Sequence, residues 1–206
     1  MFASAGKSVL CGLALIASIT MVLGIFWQFF TGLALVFFIA LLFFAWFFRD
    51  PERKIGDGIV SPADGVVTDA CERDGGKFLS IFMNVHDVHV NRSPEQGKIL
   101  SVKHFPGKHG VAFGSKVREN EHAVIELETR HGRLRIVQIA GIFARRISTY
   151  VKPGDVVKKG ERIGIIFFGS RVELYLPPDA VLQVKKGEKV KAGETTIGVW
   201  KDAVDN

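Results

Sequence analysis

The sequence predicts a mainly β protein of the α+β class, a sandwich or flattened barrel preceded by an N-terminal hydrophobic helical hairpin. From Val9 to Phe48 the chain has no Asp, Glu, Lys, Arg or His. Beyond this run, short apolar stretches rich in β-branched and aromatic residues alternate with Gly and Pro, which is the pattern of strands and turns. A Gly-punctuated pattern also occurs twice near the C-terminal end.

The uncharged run is long enough for two passages through a bilayer, because each passage needs about 20 residues. Polar residues near its middle, Gln28 and Thr31, divide it into two predicted helices at residues 8–26 and 31–48. We therefore expect residues 1–48 to form a membrane anchor of two apolar helices. A monotopic hairpin that enters one leaflet is an alternative. A cleaved signal peptide would need a shorter apolar core and a small-residue cleavage site.

Basic residues flank the run on both sides: Lys7 precedes it, and Arg49, Arg53 and Lys54 follow it. By the positive-inside rule both ends lie on the cytoplasmic face, so we expect the cell (cytoplasmic) membrane as the location, with the following domain in the cytoplasm. A net charge of +6 suits either nucleic acid or anionic lipid. An integral anchor favours anionic membrane lipids as partners and no nucleic acid.

Residues 49–58, RDPERKIGDG, form a predicted linker to one domain at residues 59–206. This length is enough for a single domain with a sizeable core. The two cysteines, Cys11 and Cys71, lie in different environments and indicate neither a disulfide nor a metal site. Their usage fits a reducing compartment.

The domain shows no long stretch of helical periodicity. Apolar runs bounded by Gly, Pro and polar residues predict its strands, at residues 65–69, 77–83, 97–105, 123–129, 134–140, 148–151, 163–168 and 172–176.

The internal repeat consists of residues 151–164, VKPGDVVKKGERIG, and 184–198, VKKGEKVKAGETTIG. Gly154 and Gly160 recur as Gly187 and Gly193. This pattern resembles lipoyl and biotinyl carrier modules, whose two halves face each other. A carrier would present a modified lysine in a Met-Lys-Met context, and the sequence has none.

The segment between the copies, FFGSRVELYLP, contains Gly169 and Ser170 at the junction of two predicted strands. A tight turn is the ordinary interpretation of a Gly-Ser pair. A reactive interpretation is also open, because glycine leaves its carbonyl carbon unshielded and allows backbone conformations that bring the serine hydroxyl close.

Two further segments contain candidate catalytic side chains. Asp64 lies in SPADG, where an Asp before Gly is usually a turn residue. His86 and His89 lie three apart in MNVHDVHVNRSP. Two histidines at this spacing can bind a metal, but no cysteine cluster or HExxH pattern accompanies them, so we expect no metal.

An acid, a histidine pair and a Gly-Ser junction are the components of a Ser/His/Asp arrangement, with a hydroxyl nucleophile, a base and a group that orients the base. The G-x-S-x-G turn of many serine hydrolases is absent. A serine directly after glycine at a strand junction is better suited to attack its own peptide bond.

Five segments occur in the order typical of one family: RDPER after the apolar run, SPADG, HDVHVNRSP, RENEHAVIELET and FFGSRVELYLP. With these, essentially the whole chain resembles the short, membrane-anchored form of phosphatidylserine decarboxylase, a pyruvoyl-dependent enzyme family.

The resemblance implies that the precursor cleaves itself between Gly169 and Ser170 into a β chain, 1–169, and an α chain, 170–206. The Ser170 hydroxyl attacks the Gly169 carbonyl, and an ester, then dehydroalanine, then a covalent pyruvoyl group at position 170 follow. The resemblance assigns the role of the base to His89, which Asp64 orients.

The resemblance also implies that the pyruvoyl group, the only cofactor and one that needs no metal, forms a Schiff base with the serine amine of phosphatidylserine. Loss of CO₂ then gives phosphatidylethanolamine, with His86 as the candidate for proton handling. The family commonly forms homodimers of the cleaved pair, and this is the oligomer we expect.

Three alternatives stay open at this point. Archaetidylserine is a possible substrate by the same mechanism, because the headgroup does not distinguish ester from ether chains. A membrane-tethered serine hydrolase would use Ser170, His89 and Asp64 in an uncut chain. A biotinyl or lipoyl carrier would have an acylated lysine.

Overall fold

The structure, a computed structural model, describes residues 2–107, 120–141, 147–167 and 170–203. The chain forms two compact units, Met1–Glu52 and Arg53–Asn206. The division lies within the segment 49–58 that the sequence indicates as a linker.

The first unit contains two helices, α1 (Lys7–Leu23) and α2 (Gln28–Phe47), after a single 3₁₀ turn at Ser4–Gly6. The predicted helical hairpin is therefore confirmed, with both helices beginning slightly earlier than expected. By length and composition alone, each is long and apolar enough to cross a membrane. At about 1.5 Å per residue, the 20 residues of α2 span about 30 Å, the thickness of a hydrocarbon core.

The second unit is built from strands, which confirms the mainly β prediction. Their bounds are β1 Ile59–Val60, β2 Gly65–Arg73, β3 Gly76–Met83, β4 Val90–Arg92, β5 Gly97–Phe105, β6 His122–Thr129, β7 Gly132–Ile139, β8 Ile147–Thr149, β9 Val156–Val157, β10 Arg162–Ile166, β11 Ser170–Leu176, β12 Ala180–Leu182, β13 Lys189–Val190 and β14 Thr196–Trp200.

These strands form one large sheet and two small ones, all antiparallel. The large sheet has the order β13-β2-β3-β11-β7-β6-β5-β9 and curls into a half-barrel. The small sheets have the orders β1-β14-β12 and β4-β10-β8. One buried cluster joins one face of the large sheet to both small sheets, and it includes Ile81, Ile125 and Leu174 from the former and Ile163 and Ile197 from the latter. The core therefore lies between the layers.

The architecture is internally duplicated. When β13, β2, β3 and β11 are exchanged with β9, β5, β6 and β7, the large sheet keeps the same order read in reverse. The same operation relates the two small sheets to each other. The glycines of the repeat have matching backbones: φ is 94° at both Gly154 and Gly187, and 77° and 75° at Gly160 and Gly193. Because these φ values favour glycine, the repeated residues form the same turns in both halves.

The duplication extends to two turns that resemble each other in sequence, SPADG (61–65) and SPEQG (93–97). The Ser61 hydroxyl donates to the carbonyl of Ala63 at 2.7 Å, and the Ser93 hydroxyl donates to that of Glu95 at the same distance. Gly193 N–H donates to the Ser61 carbonyl as Gly160 N–H does to that of Ser93. The acid Asp64 thus lies in one of two equivalent turns.

Candidate active site

At one end of the large sheet, two segments of the chain connect it to the same small sheet. Met83, the last residue of β3, pairs with Ser170, the first residue of β11. In the small sheet that both crossovers reach, Val90 pairs with Ile165. Residues 84–89 and 167–169 therefore both link the large sheet to the sheet β4-β10-β8. The histidine segment therefore begins after the cross-strand partner of Ser170 and ends before the cross-strand partner of Ile165.

The junction at Ser170 is a crossover between sheets, because β10 pairs with β4 and β8 whereas β11 pairs with β3 and β7. β10 and β11 therefore do not form a hairpin, and the turn predicted at Gly169 and Ser170 lies partly outside the described residues. Phe168 and Gly169 lie outside the described residues, so the structure bears on Ser170 alone.

Ser170 is fully buried, and among the described residues its hydroxyl has no hydrogen-bond partner. Its cross-strand partner Met83 and the next residue on the same strand face, Val172, both belong to the core. The hydroxyl thus faces the interior. A buried polar atom without a partner costs free energy, and such atoms are a recurrent feature of reactive sites.

His89 is also fully buried, directly before β4. Its Nδ1 lies 2.9 Å from the carbonyl oxygen of Asp87. A carbonyl only accepts, so Nδ1 carries the proton in the neutral ring and Nε2 is the basic nitrogen. The main chain of His89 also accepts a hydrogen bond from Ile166 N–H, the last residue of β10.

His86 has a contrasting environment, since its side chain is 68% exposed. Its Nε2 lies 3.8 Å from Asp87 Oδ1. The other oxygen of Asp87 accepts a hydrogen bond of 2.7 Å from Asn84 N–H, which closes the turn. The two histidines of the segment therefore differ in exposure: one faces solvent and the other lies in the core.

Asp64 lies at the same end of the large sheet, just before β2. Gly65 begins β2 with φ 145°, and a Cβ there would collide with the Phe82 carbonyl oxygen, so only glycine permits this close approach. The strands β2, β3 and β11 are neighbours. Asp64, Met83 and Ser170 therefore lie at the same end of the large sheet.

The Asp64 carboxylate is held by a buried cation. Arg53 Nη2 lies 2.9 and 3.1 Å from its two oxygens, and the Ala192 N–H donates to one of them at 2.8 Å. Burial, the largest influence, raises the pKa of Asp64, whereas the Ala192 hydrogen bond and Arg53 lower it and the charge of Asp87 raises it further. Asp64 and Asp87 are thus electrostatically coupled across the two loops.

Sequence reasoning missed the role of Arg53, which it grouped with Arg49 and Lys54 as a charge beside the membrane. The Arg53 side chain is 6% exposed and its Nη1 lies 3.4 Å from Glu194. The local sequence gives no indication that Arg53 pairs with Asp64 and Glu194, because these acids lie in two other turns of the chain.

A second feature that the sequence did not indicate is a buried amide pair beside Ser170. Gln138 Nε2 donates to Asn91 Oδ1 at 2.7 Å, and among the described residues Gln138 Oε1 has no partner. Gln138 pairs with Val172, two residues along β11 from Ser170 on the same strand face. The only hint in the sequence is a polar residue within the apolar run of β7.

The internal duplication offers a comparison within the molecule. Counting from the equivalent serines 61 and 93, Asp57 occupies the position equivalent to His89, and Gln96 that equivalent to Asp64. Gly132 pairs with the last residue of β6 as Ser170 pairs with the last residue of β3. The acid, imidazole and hydroxyl thus come from both halves, and the equivalent set of positions has Gln96, Asp57 and Gly132 in their place.

The other face of the large sheet has a cavity of about 480 Å³, with Phe105, His122, Arg135 and Tyr175 among its lining residues. Side chains alternate between the faces of a strand, so this cavity lies on the side of β11 opposite to the Ser170 hydroxyl. Within the described ranges no group of three His, Cys, Asp or Glu side chains could hold a metal ion.

Comparisons with known proteins identify the family of the chain. A family model described as phosphatidylserine decarboxylase matches residues 40–198. The "Putative archaetidylserine decarboxylase proenzyme" of Archaeoglobus fulgidus is 57% identical over 156 residues, which are 75% of this chain and 76% of that protein.

Two bacterial relatives are named phosphatidylserine decarboxylase proenzyme. The protein of Streptomyces coelicolor is 49% identical over 154 residues, covering 74% of this chain and 71% of its own length. The protein of Desulfotalea psychrophila is 44% identical over 178 residues, covering 81% of this chain and 83% of its own length. From the family match and these identities we conclude that the chain belongs to the phosphatidylserine decarboxylase family.

Proposed function

We propose that this chain is a proenzyme that cuts itself between Gly169 and Ser170 and then decarboxylates phosphatidylserine to phosphatidylethanolamine and CO₂. The observation that supports this most directly is the buried hydroxyl of Ser170, which has no hydrogen-bond partner among the described residues and lies on the strand paired with the start of the histidine segment. Family membership and the proenzyme names of the relatives support the same function.

The cleavage uses groups of the chain itself. The Ser170 Oγ attacks the Gly169 carbonyl carbon, the peptide C–N bond breaks, and the Ser170 amine is released as an ester forms. Elimination then breaks the bond between Oγ and Cβ of residue 170. The β chain is left with a free carboxylate, and the α chain is left with dehydroalanine. One water hydrolyses the tautomeric imine, so that ammonia leaves and a ketone remains.

His89 is the proposed general base for the attack. Its Nδ1 is directed to the Asp87 carbonyl, which leaves Nε2 as the proton acceptor. An imidazole has an unperturbed pKa of about 6.5, which suits proton transfer at neutral pH.

Asp64 is the proposed acid of the arrangement. Because both of its oxygens bond Arg53 and the direct acceptor from the His89 ring is the Asp87 carbonyl, we propose that Asp64 acts electrostatically. A carboxylate at this edge favours the imidazolium that forms when His89 takes the Ser170 proton.

A pyruvoyl group formed from Ser170 fits position 170. Within the part of the chain that the structure describes, loss of the hydroxyl removes no hydrogen bond, and the strand is fixed by pairing with β3 and β7. This group would supply the carbonyl that captures the substrate amine and accepts the electron pair released with CO₂. His86, exposed on the same crossover, is the proposed residue that moves a proton during decarboxylation.

The two apolar helices support a site that works at the surface of the cell membrane, on its cytoplasmic face. A diacyl lipid leaves a bilayer at a cost of about 0.8 kcal/mol per CH₂, so an enzyme for this substrate must come to the lipid. Anionic lipids would attract the exposed basic residues, and we propose a homodimer of the cleaved pair as the working form. Archaetidylserine is a second candidate substrate, favoured by the name of the Archaeoglobus fulgidus relative.

The test is a decarboxylation assay on the purified full-length protein in detergent–lipid micelles. Phosphatidylserine labelled in the serine carboxyl should release labelled CO₂ with one phosphatidylethanolamine per CO₂, and Ser170→Ala should release none. Archaetidylserine in parallel micelles compares the two lipids. Labelling of an uncut chain by a serine-directed phosphonate, without CO₂ release, would instead support the hydrolase. An uncut chain with an acylated lysine would support the carrier.

A further inference from the structure

The second unit begins at Arg53, and the guanidinium of this first residue is inserted between two carboxylates. Its Nη2 lies 2.9 Å from Asp64 Oδ2, and its Nη1 lies 3.4 Å from Glu194 Oε2. The Arg53 and Asp64 side chains are only 6% and 12% exposed. The pair is therefore removed from most of the solvent.

We propose that Arg53 is a positioning residue of the active site, which holds the Asp64 carboxylate in its ionised form and in a fixed orientation while the precursor cuts itself. This inference rests on the proposed function, since it assigns a role to Asp64 in that reaction. Arg53 acts through Asp64 and does not contact the reacting atoms.

Asp64 faces groups from three elements. Arg53 comes from the segment before β1, the Ala192 N–H from the loop between β13 and β14, and Asp87 from the crossover between β3 and β4. Of these groups only Arg53 has a full positive charge. Without Arg53, only the Ala192 hydrogen bond among these groups would favour the ionised carboxylate. Burial and the neighbouring Asp87 both favour its protonation.

The buried pair distinguishes Arg53 from the other basic residues that follow the apolar run. Both terminal nitrogens already face carboxylates, and the side chain is buried. The next residue, Lys54, is exposed. Lys54 is therefore a matched control, because its replacement removes the same charge one position along the chain without affecting the pair.

The test measures the rate of self-cleavage of full-length precursor between pH 5.5 and 8.5, chosen as about the range over which an imidazole near a carboxylate titrates. Removing the Arg53 cation favours the protonated form of Asp64, so the acidic limb of the profile moves to higher pH. We expect Arg53→Gln to cut about tenfold more slowly than wild type near pH 6 and within about threefold at pH 8.5, and Lys54→Gln to match wild type throughout.

A variant on the other side of Arg53 keeps the test informative if Arg53→Gln fails to fold. Glu194→Gln removes the competing carboxylate, whose side chain is 31% exposed, and should move the acidic limb to lower pH. Arg53→Lys keeps the charge, so its acidic limb should stay in place while the rate falls.

The inference is overturned if Arg53→Gln slows cleavage by one factor at every pH, or if Glu194→Gln leaves the profile unchanged. A wild-type chain that never cuts itself would instead refute the proposed function. The two failures are therefore distinguishable.

Discussion

Ser170 and Met83 are cross-strand partners at one end of the large sheet, one the first residue of β11 and the other the last residue of β3. The chain leaves Met83 towards His86 and His89, and it arrives at Ser170 from β10. The proposed nucleophile Ser170 and the segment that contains the proposed base His89 thus meet at a pair of strands that lie far apart in sequence. Strands, unlike loops, hold such a geometry rigidly.

Replacing His89 tests the base. His89→Gln should slow self-cleavage about 10²–10⁴-fold, because the hydroxyl proton loses its acceptor. The measurement is the fraction of cut chain over time on a denaturing gel.

His122 is a matched control for His89. Its Nδ1 also lies 2.9 Å from the carbonyl two residues before it, that of Asn120, but the ring stacks on Phe105 at the cavity on the other face. His122→Gln should cut at the wild-type rate. Equal slowing in both variants would contradict a specific role for His89.

Replacing His86 separates cleavage from decarboxylation. His86 is exposed and lies outside the proposed attack step, so His86→Gln should mature within about threefold of the wild-type rate. Its CO₂ release from phosphatidylserine should fall about tenfold or more, since a proton donor is lost. A variant that matures and decarboxylates normally would remove His86 from the mechanism.

We predict that Gly65 is essential for the backbone conformation at the start of β2, next to Asp64. Gly65→Ala introduces a Cβ against the Phe82 carbonyl in a backbone conformation open to glycine alone, at a cost of about 1–3 kcal/mol for the conformation and more for the collision. Gly75→Ala is the control, since Gly75 has φ 76° but open space around it. Urea unfolding followed by circular dichroism should show the larger loss for Gly65→Ala, and the reverse order would refute the argument.

Asp64 should also give stability a specific pH dependence. Burial is the largest cause of its raised pKa, relative to an ordinary value of 3.8. An acid with a higher pKa in the folded state binds its proton more tightly when folded, so stability is gained as pH falls through the raised pKa and is lost as pH rises through it.

The measurement compares Ser170→Ala with Ser170→Ala/Asp64→Asn, both of which stay uncut. The free energy of unfolding of the first relative to the second should decrease as pH rises from about 4 towards neutrality, because only the first chain titrates at this position. A difference that increases with pH would mean that the Arg53 pair outweighs burial.

Eight of the strands were predictable from local sequence because glycine, proline and polar residues mark their ends. The run predicted at residues 97–105 is β5 at both ends, and Gly65, Gly76 and Gly132 begin β2, β3 and β7. The repeated glycines predicted equivalent turns, and the turns have equivalent φ angles.

The environment of each site residue was not predictable in the same way. His86 and His89 are three residues apart, yet one is exposed and the other buried, because His89 directly precedes the pairing of Val90 with Ile165. Strand pairing between segments 75 residues apart leaves no mark in the local sequence.

The Arg53–Asp64 pair shows the same limit for charges. A basic residue just after an apolar run is usually a topology determinant, and the sequence around Arg53 has no feature that distinguishes it from Arg49. Its burial depends on the loop that contains Ala192 and Glu194, more than 130 residues away. Only the folded chain brings these three segments together.

The most direct test of the central claim is an intact-mass measurement of the purified protein beside its Ser170→Ala variant. We predict that the wild-type protein gives two chains that separate after Gly169, and that the variant gives a single uncut chain. The smaller wild-type chain should lack a free amino terminus and be lighter than a serine-started peptide by the mass of one ammonia. A single uncut wild-type chain, or a variant that is cut at the same bond, would contradict self-cleavage by the Ser170 hydroxyl.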